Sequence, residues 1–356
     1  MPEKLSELKH KAVELIKDLI RTPSFSGNED QTGDIIFNFL KNNGIENVHR
    51  QKNNIWAYHN HHDPNKKTIL LNSHHDTVKN SRLWVHDPFG ASEEDGKIIG
   101  LGANDAGASV VSLLAVFLYF KDIELPFNLI VAITAEEEIS GKNNVASILP
   151  ELGKIDLGIV GEPTRMDMAV AERGLIVLDY TIKGKAGHAA RTEGINSIYL
   201  ALEDIEWYRN YKFPKVSDLL GEVKMTVTQI EAGKQHNVIP DECRLVVDIR
   251  VNELYSNEEV MQIIKQNIKN DVEARSYRLN SSRIDINHPI VQKSIALGLK
   301  SYGSPTLSDQ SMMHFDTVKI GPGDSARSHT PDEHIFISEI ENGIGVYIRL
   351  LEDFNF

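Results

Sequence analysis

Thr68-Ile69-Leu70-Leu71-Asn72-Ser73-His74-His75-Asp76, followed after a loop by Gly100-Leu101-Gly102-Ala103-Asn104-Asp105-Ala106-Gly107, is the stretch from which the fold can be read. Thr68 to Leu71 has the length and composition of a short buried strand, so His74 and Asp76 leave its carboxyl end on the same side. That arrangement suits a metal-bound imidazole beside a carboxylate that orients it. Asp105 follows a glycine-rich turn and precedes an apolar segment, Ala108 to Phe120, that reads as a helix. A bare carboxylate therefore stands near a positive helix start. Taken alone, a His-x-Asp pair is a common surface accident, and an Asp before a helix is commonly only an N-cap. The rest of the chain decides between these readings.

Three more short apolar runs end in the same manner. Leu129 to Ile133 leads into Thr134-Ala135-Glu136-Glu137-Glu138, Leu157 to Val160 into Gly161-Glu162-Pro163, and Thr317 to Ile320 into Gly321-Pro322-Gly323-Asp324. With helices between them, these runs are strands of an open α/β sheet, whose ligands bind at the carboxyl ends. The acids and histidines that follow the strands then share one edge. In chain order the candidate metal ligands are His74, Asp105, Glu138, Glu162 and His329, with Asp76 and Glu137 beside them. Imidazole mixed with carboxylate suits zinc, cobalt or manganese better than calcium. Five ligands hold two metals if one carboxylate bridges, and Asp105, alone on its turn, is the natural bridge. Like charges ~4 Å apart repel by several kcal/mol at an effective dielectric of ~20. Lys142 and Arg165 are the nearest basic residues in sequence, so such an edge calls for cations.

Between residues 174 and 283 the texture changes to a β-α-β-β-α-β order. Strands are predicted over Leu175 to Lys183, Val223 to Ile230, Cys243 to Val251 and Val272 to Leu279, and helices over Ile195 to Tyr208 and Asn257 to Ile268. This is the split-βαβ pattern of a ferredoxin-like α+β domain, inserted into a first domain made of residues 1–173 and 284–356. At 356 residues the chain is long enough for both. A formal charge of −13 argues against nucleic acid or an anionic membrane as partner. The single cysteine, Cys243, rules out an intrachain disulfide and a Cys-based zinc site, and points to a reducing, cytoplasmic setting. Met1 to Arg21 carries Leu5, Leu8, Ala12, Leu15, Ile16 and Leu19 at helical spacing, the pattern of an amphipathic helix and not of a signal peptide. No run is expected to approach the ~18 apolar residues of a membrane span. His59, His61 and His62 fall in a polar stretch ending Asp63-Pro64-Asn65, which reads as a turn.

Several segments together carry a family resemblance: His74-His75-Asp76-Thr77-Val78, Asp87-Pro88-Phe89, Gly100 to Asp105, Thr134 to Glu138 and Gly161-Glu162-Pro163-Thr164. Gly187-His188, Asn237-Val238-Ile239-Pro240-Asp241 and His329-Thr330-Pro331-Asp332-Glu333 complete the set. The chain resembles the two-zinc amidohydrolases and exopeptidases, a family that includes acetylornithine deacetylase, succinyl-diaminopimelate desuccinylase and glutamate carboxypeptidases, with the deacetylase branch nearest. The resemblance implies a zinc-exopeptidase-like catalytic domain with a mixed central sheet, and an insert that makes a homodimer. It implies two Zn2+, for which Co2+ or Mn2+ can substitute, with His74 and Glu162 on one, Glu138 and His329 on the other, and Asp105 on both. Asp76 would orient His74, Glu137 would be the general base, and His188 would reach the partner's active site to steady the oxyanion. Asn237 and Arg250 are the substrate-binding candidates, with an ordinary salt bridge as the alternative for Arg250.

The chain departs from the family at Leu101, where arginine is frequent, at residues 106–109, where Met-Lys-Gly-Gly is usual, and at Glu136, which stands for a common aspartate. Three consecutive glutamates also leave the register of base and ligand open by one residue. The implied reaction is metal-dependent hydrolysis of the amide of an N-acyl amino acid. N-acetylornithine is the first substrate to consider, then N-acetylcitrulline, the N-succinyl analogues and N-acetyl-lysine, all small molecules of arginine or lysine biosynthesis. A metallo-exopeptidase is the alternative; a non-catalytic metal-binding scaffold should have lost Glu137 or a ligand, and neither is missing. Gly100-Leu101-Gly102 is no dinucleotide fingerprint, because Asp105 stands where the third glycine belongs.

Overall fold

The computed structural model describes residues 2–356 and divides them into two compact units. The first comprises the residues up to Val170, Arg283–Tyr302 and Ser308–Phe356, and the second Ala171–Ser282 and Gly303–Leu307. The short return of 303–307 is absent from the sequence-based boundaries. It belongs to the second unit for a steric reason: a Cβ on Gly303 would lie 2.3 Å from Leu219 O, and Arg173 N–H donates to Ser304 O at 3.2 Å.

In the first unit, the sheet runs in the order Val48–Gln51, Asn54–Tyr58, Asn128–Thr134, Thr68–His74, Leu157–Val160, Thr317–Lys319, Met168–Glu172. The central four strands are parallel to one another, and the flanking ones antiparallel, so the sheet is mixed. Every residue of Thr68–His74, Asn128–Thr134 and Leu157–Val160 is buried, as a parallel sheet covered on both faces requires. The predicted strand over 68–71 continues to His74, which pairs with Thr134, and His75 N–H donates to Thr134 O at 2.9 Å. Two chain segments are thus released at the same level of the sheet.

Helix Ala108–Phe120 is buried along its whole length and packs against helices Pro2–Arg21 and Ile337–Leu351. Counted with the turn before it, Ala103–Phe120 has the length and mean hydropathy, 1.5, of a membrane span, which corrects the expectation that no run comes close. It is 94% buried within the protein and forms the core of the first unit. His59 is a structural residue: its Nε2 donates to Phe120 O at 2.7 Å and its Nδ1 accepts from His61 N–H at 3.1 Å.

The second unit holds a four-stranded antiparallel sheet in the order Lys224–Ala232, Glu242–Val251, Gly174–Lys183, Glu273–Ala274. Alternation explains its one covered face. Ile176, Leu178, Tyr180 and Ile182, with Leu245, Val247, Ile249 and Val251, are buried in a core shared with Ala201 and Tyr208 of helix Ser197–Asn210 and with Val260 and Ile264 of helix Asn257–Asn267. The fourth strand, predicted over 272–279, is only Glu273–Ala274: Arg275 N–H still donates to Val177 O at 2.9 Å, after which local turns at Ser276 and Asn280 take the chain off the sheet. Lys224–Ala232 is an edge strand.

Phe117→Ala is expected to lower the stability of the first unit by about 3–5 kcal/mol, the cost of emptying a buried aromatic site. Urea unfolding followed by fluorescence of Trp56, buried in that unit, should show the lower midpoint.

Candidate metal centre

Strand ends and two loops bring the site together within the first unit. His74 is buried, and its Nδ1 lies 3.1 Å from the main-chain oxygen of Asp76 and 3.4 Å from its Oδ1. A proton on Nδ1 held by that carbonyl would leave Nε2 as the nitrogen available to a metal. Nε2 faces Asp105 Oδ1 at 3.3 Å, Glu162 Oε1 at 3.7 Å and Glu137 Oε2 at 4.0 Å. On the other side, His329 Nε2 lies 3.0 Å from Glu138 Oε1 and 3.6 Å from Asp105 Oδ2. The Asp105 carboxylate therefore turns one oxygen to each histidine. Ligand atoms of His74, Asp105 and Glu138 fall within 4.8 Å of one another, a spacing that a single cation can span.

Asp105 does not cap the helix. It lies in a distorted turn, Ala103–Gly107, three residues before the helix begins at Ala108, and the Asp105–Ala106 peptide is cis. Two glycines make that turn possible. Gly102 has φ of 77°, and a Cβ on Gly107 would sit 2.4 Å from Gly102 O.

Asp76 does more than face His74. Its Oδ1 accepts Glu137 N–H at 3.1 Å, and its Oδ2 accepts Glu138 N–H at 3.2 Å and the Ser26 hydroxyl at 2.7 Å. The three glutamates consequently have different environments. Glu136, at φ 55°, accepts Asn143 N–H at 3.0 Å and the Asn143 side-chain amide, so it is tied to its own loop. Glu137 and Glu138 are the two whose side chains face the histidines.

Charge crowding is visible in the acid–base properties. Burial pushes Glu162 up to about 8 despite attraction from His74, with Asp105 adding to the upward pressure and buried Lys319 opposing it. Burial also holds Glu137 well above the usual carboxylate range, and Glu162 and Asp309 act in the same direction. His329 is raised to about 9, chiefly by its bond to Glu138. Arg165 is occupied by Asp324 and Lys142 is exposed, so neither neutralises the cluster. Buried acids with imidazoles between them form a donor set suited to a divalent cation of the zinc, cobalt or manganese type.

Two residues with no assigned role in the sequence reading also stand here. Asp309 Oδ2 accepts from Thr134 Oγ1 at 2.9 Å, and that hydroxyl accepts from Asn72 Nδ2 at 3.0 Å, which places the acid behind the strand that delivers Glu137. Glu333 accepts three backbone N–H groups of the Asp105 turn. No periodicity marks either one.

The remaining predicted residues lie in the second unit. His188 pairs through the backbone with Val238, and Ala189 N–H donates to Asn237 O at 3.0 Å, so His188 and Asn237 sit side by side on a two-stranded ribbon. His188 is exposed, and its Nδ1 accepts Ala190 N–H at 3.1 Å, which leaves Nε2 as the outward nitrogen. Arg250 makes a two-pronged ion pair with Asp248, Nε to Oδ1 at 2.9 Å and Nη2 to Oδ2 at 3.0 Å.

A family profile described as peptidase family M20/M25/M40 matches residues 70–353. A succinyl-diaminopimelate desuccinylase of Orientia tsutsugamushi (strain Ikeda) is 28% identical over 278 residues, covering 72% of this chain and 71% of that one. An acetylornithine deacetylase of Buchnera aphidicola (subsp. Acyrthosiphon pisum, strain Tuc7) is 26% identical over 369 residues, 93% of this chain and 95% of its own. A solved structure of a dinuclear metal-binding peptidase from Bacillus subtilis superposes with a TM-score of 0.74 at 17% identity, covering 98% of this chain and 100% of that one.

The different environments of the glutamates lead to a ranking. Glu136→Gln is expected to leave metal uptake at the wild-type level. Glu138→Gln should weaken it by more than the ~10–100-fold that loss of an outer-shell partner costs. Metal content after equilibration with a competing chelator measures both, and the reverse order would move the ligand to Glu136.

Proposed function

The chain belongs to peptidase family M20/M25/M40, and from that premise we propose that it is a two-metal deacylase cleaving the amide of an N-acyl amino acid. N-acetylornithine or a near variant, N-acetylcitrulline, an N-succinyl analogue or N-acetyl-lysine, is the substrate class. The observation that carries this reading is Asp105, whose two carboxylate oxygens face His74 and His329 separately. It is supported by the desuccinylase and deacetylase relatives, the second of which matches over 93% of the chain.

His74 and Glu162 would hold one cation, His329 and Glu138 the other, and Asp105 both; zinc is the proposed metal. Bound there, the pair would supply an acidic water and polarise the amide carbonyl. Glu137, its main chain fixed by Asp76, takes the proton of the attacking water on Oε2. The new C–O bond forms, the C–N bond breaks, and Glu137 returns the proton to the departing nitrogen. Two products leave, the acyl group as a carboxylate and the free amino acid as an ammonium, which carries both protons of the water. Asn237 and Arg250 are proposed to hold the substrate, in the cytoplasm.

The inserted unit is proposed to form a homodimer. Helix Ser197–Asn210 packs beside the edge strand Lys224–Ala232, and Tyr199, Leu202 and Ile230 are exposed there at 70%, 54% and 50%. An open strand edge beside exposed apolar side chains favours pairing with a second copy. His188 of the partner subunit would then donate to the oxyanion. An exopeptidase is the second reading, favoured by the likeness to the B. subtilis peptidase fold.

Metal analysis should find two divalent ions per chain, and their removal by a chelator should abolish turnover. Glu137→Gln is expected to keep both ions and lose at least ~10²-fold in rate, about 3 kcal/mol of barrier. On a panel of N-acetylornithine, N-acetylcitrulline, N-succinyl analogues and glycine-containing dipeptides, the acylated amino acids should be cleaved and the dipeptides spared; preference for dipeptides selects the exopeptidase. Mixing inactive His188→Ala chains with inactive Glu137→Gln chains should restore activity in the heterodimer, which carries one intact site. Verified heterodimers without activity would reject the shared site.

A further inference from the structure

Glu333 is 2% exposed, lies four residues beyond His329, and has no metal-facing role in the reading above. Its Oε1 accepts Asn104 N–H and Asp105 N–H, each at 2.8 Å, and its Oε2 accepts Gly102 N–H at 3.2 Å. Its own carbonyl accepts Gly100 N–H at 2.9 Å. Four contacts from one residue thus follow the backbone of the Asp105 turn from end to end. The delivery is rigid, since the next three residues, His334–Phe336, pair antiparallel with Lys97–Ile99, the strand that leads into the same turn. Asn104 adds a second tie. Its Oδ1 accepts Asp324 N–H at 2.9 Å, and its Nδ2 donates to Asp324 O at 3.1 Å and to Ser328 Oγ at 3.2 Å.

A buried acid beside other acids is an expensive way to hold a turn, because each like charge nearby opposes it. A neutral side chain accepting fewer bonds would hold a turn of no particular precision. The two oxygens of a carboxyl group offer several acceptor sites in one plane and can gather several N–H groups at short range. Here that gathering fixes the φ and ψ of the one residue whose two oxygens must face two separate histidines. We propose that Glu333 is a positioning residue, which holds the Asp105 carboxylate between His74 and His329 by accepting the N–H groups of Gly102, Asn104 and Asp105. It also makes the His329 loop and the Asp105 turn move as one body. The inference deepens the two-metal reading and rests on it.

The test is cobalt binding to Glu333→Gln. The substituted amide keeps one acceptor oxygen but turns an N–H toward a backbone donor, so the turn loses one anchor without losing volume. Cobalt titration, followed by its visible absorption and by chelator competition, should give two ions in the wild type. In the variant the second ion should bind ~10–100-fold more weakly, the range for loss of an outer-shell partner, while kcat falls and KM stays near the wild-type value. Unchanged affinity for the second ion, with only a lower melting temperature, would mean a purely structural role and overturn the proposal. A wild type that takes up one ion overturns the two-metal reading itself, a different result from a variant that matches a two-ion wild type. Should the variant fold poorly, hydrogen exchange of the wild type decides: the amides of Gly102, Asn104 and Asp105 should be protected already in metal-free protein. Free exchange until metal is added would show that Glu333 does not preset the turn, and the proposal fails.

Discussion

The structure of the site depends on the buried carboxylate of Asp76. Parallel pairing releases the chain after His74 and after Thr134 at one level, which brings two loops to the same place but does not fix their course. Asp76 fixes it. Each of its oxygens accepts one N–H of the Glu137-Glu138 pair, and its own carbonyl holds the His74 ring. A carboxylate with several N–H and O–H donors is stabilised in its charged form. Burial works against Asp76, yet the bonds from His74, Ser26 and the backbone prevail and hold it below its ordinary value. It can therefore remain an anion where the acids beyond it are driven toward protonation.

That contrast separates the acids into two kinds. Asp76 is satisfied by hydrogen bonds and belongs to the scaffold. Glu137, Glu138 and Glu162 are raised mainly by burial, and each feels at least one neighbouring acid. At ~4 Å two such charges repel by about 4 kcal/mol at an effective dielectric of ~20, so full ionisation of the group is affordable only with positive charge among them. On the two-metal proposal, divalent cations would supply that charge. Their uptake would then be coupled to proton release.

Much of this was legible in the sequence because buried parallel strands are continuous apolar runs and their ends are marked by abrupt polarity. Thr68 to Leu71, Leu129 to Ile133 and Leu157 to Val160 announce themselves in that manner, and with them the positions of His74, Glu138 and Glu162. Backbone detail was not legible. Glu136 and Glu138 are chemically the same, and they are separated only by the fold: Glu136 has a positive φ and bonds to Asn143, while Glu138 faces His329. Asp309 and Glu333 act through partners far away in sequence, Thr134 and the turn at residues 102–105, so neither leaves a local pattern. The predicted fourth strand of the insert failed for a related reason: Val272 and Leu279 are apolar, but local turns interrupt the pairing between them.

The division of residues between the two units bears on specificity. All five proposed ligands and the proposed base belong to the first unit, which would hold the cations and the proton acceptor but, among the residues proposed here, nothing that reads an acyl group or an amine. His188, Asn237 and Arg250 belong to the second, whose core is separate and complete. Arg250 has both prongs of its guanidinium on Asp248, so, on the proposed role, a substrate carboxylate would have to exchange with an existing partner. One carboxylate replacing another changes the energy little, and the preference between substrates then comes from fit and not from raw charge. If the proposed roles hold, chemistry fixed in one unit and recognition carried by the other would let substrate range change without disturbing the metal site.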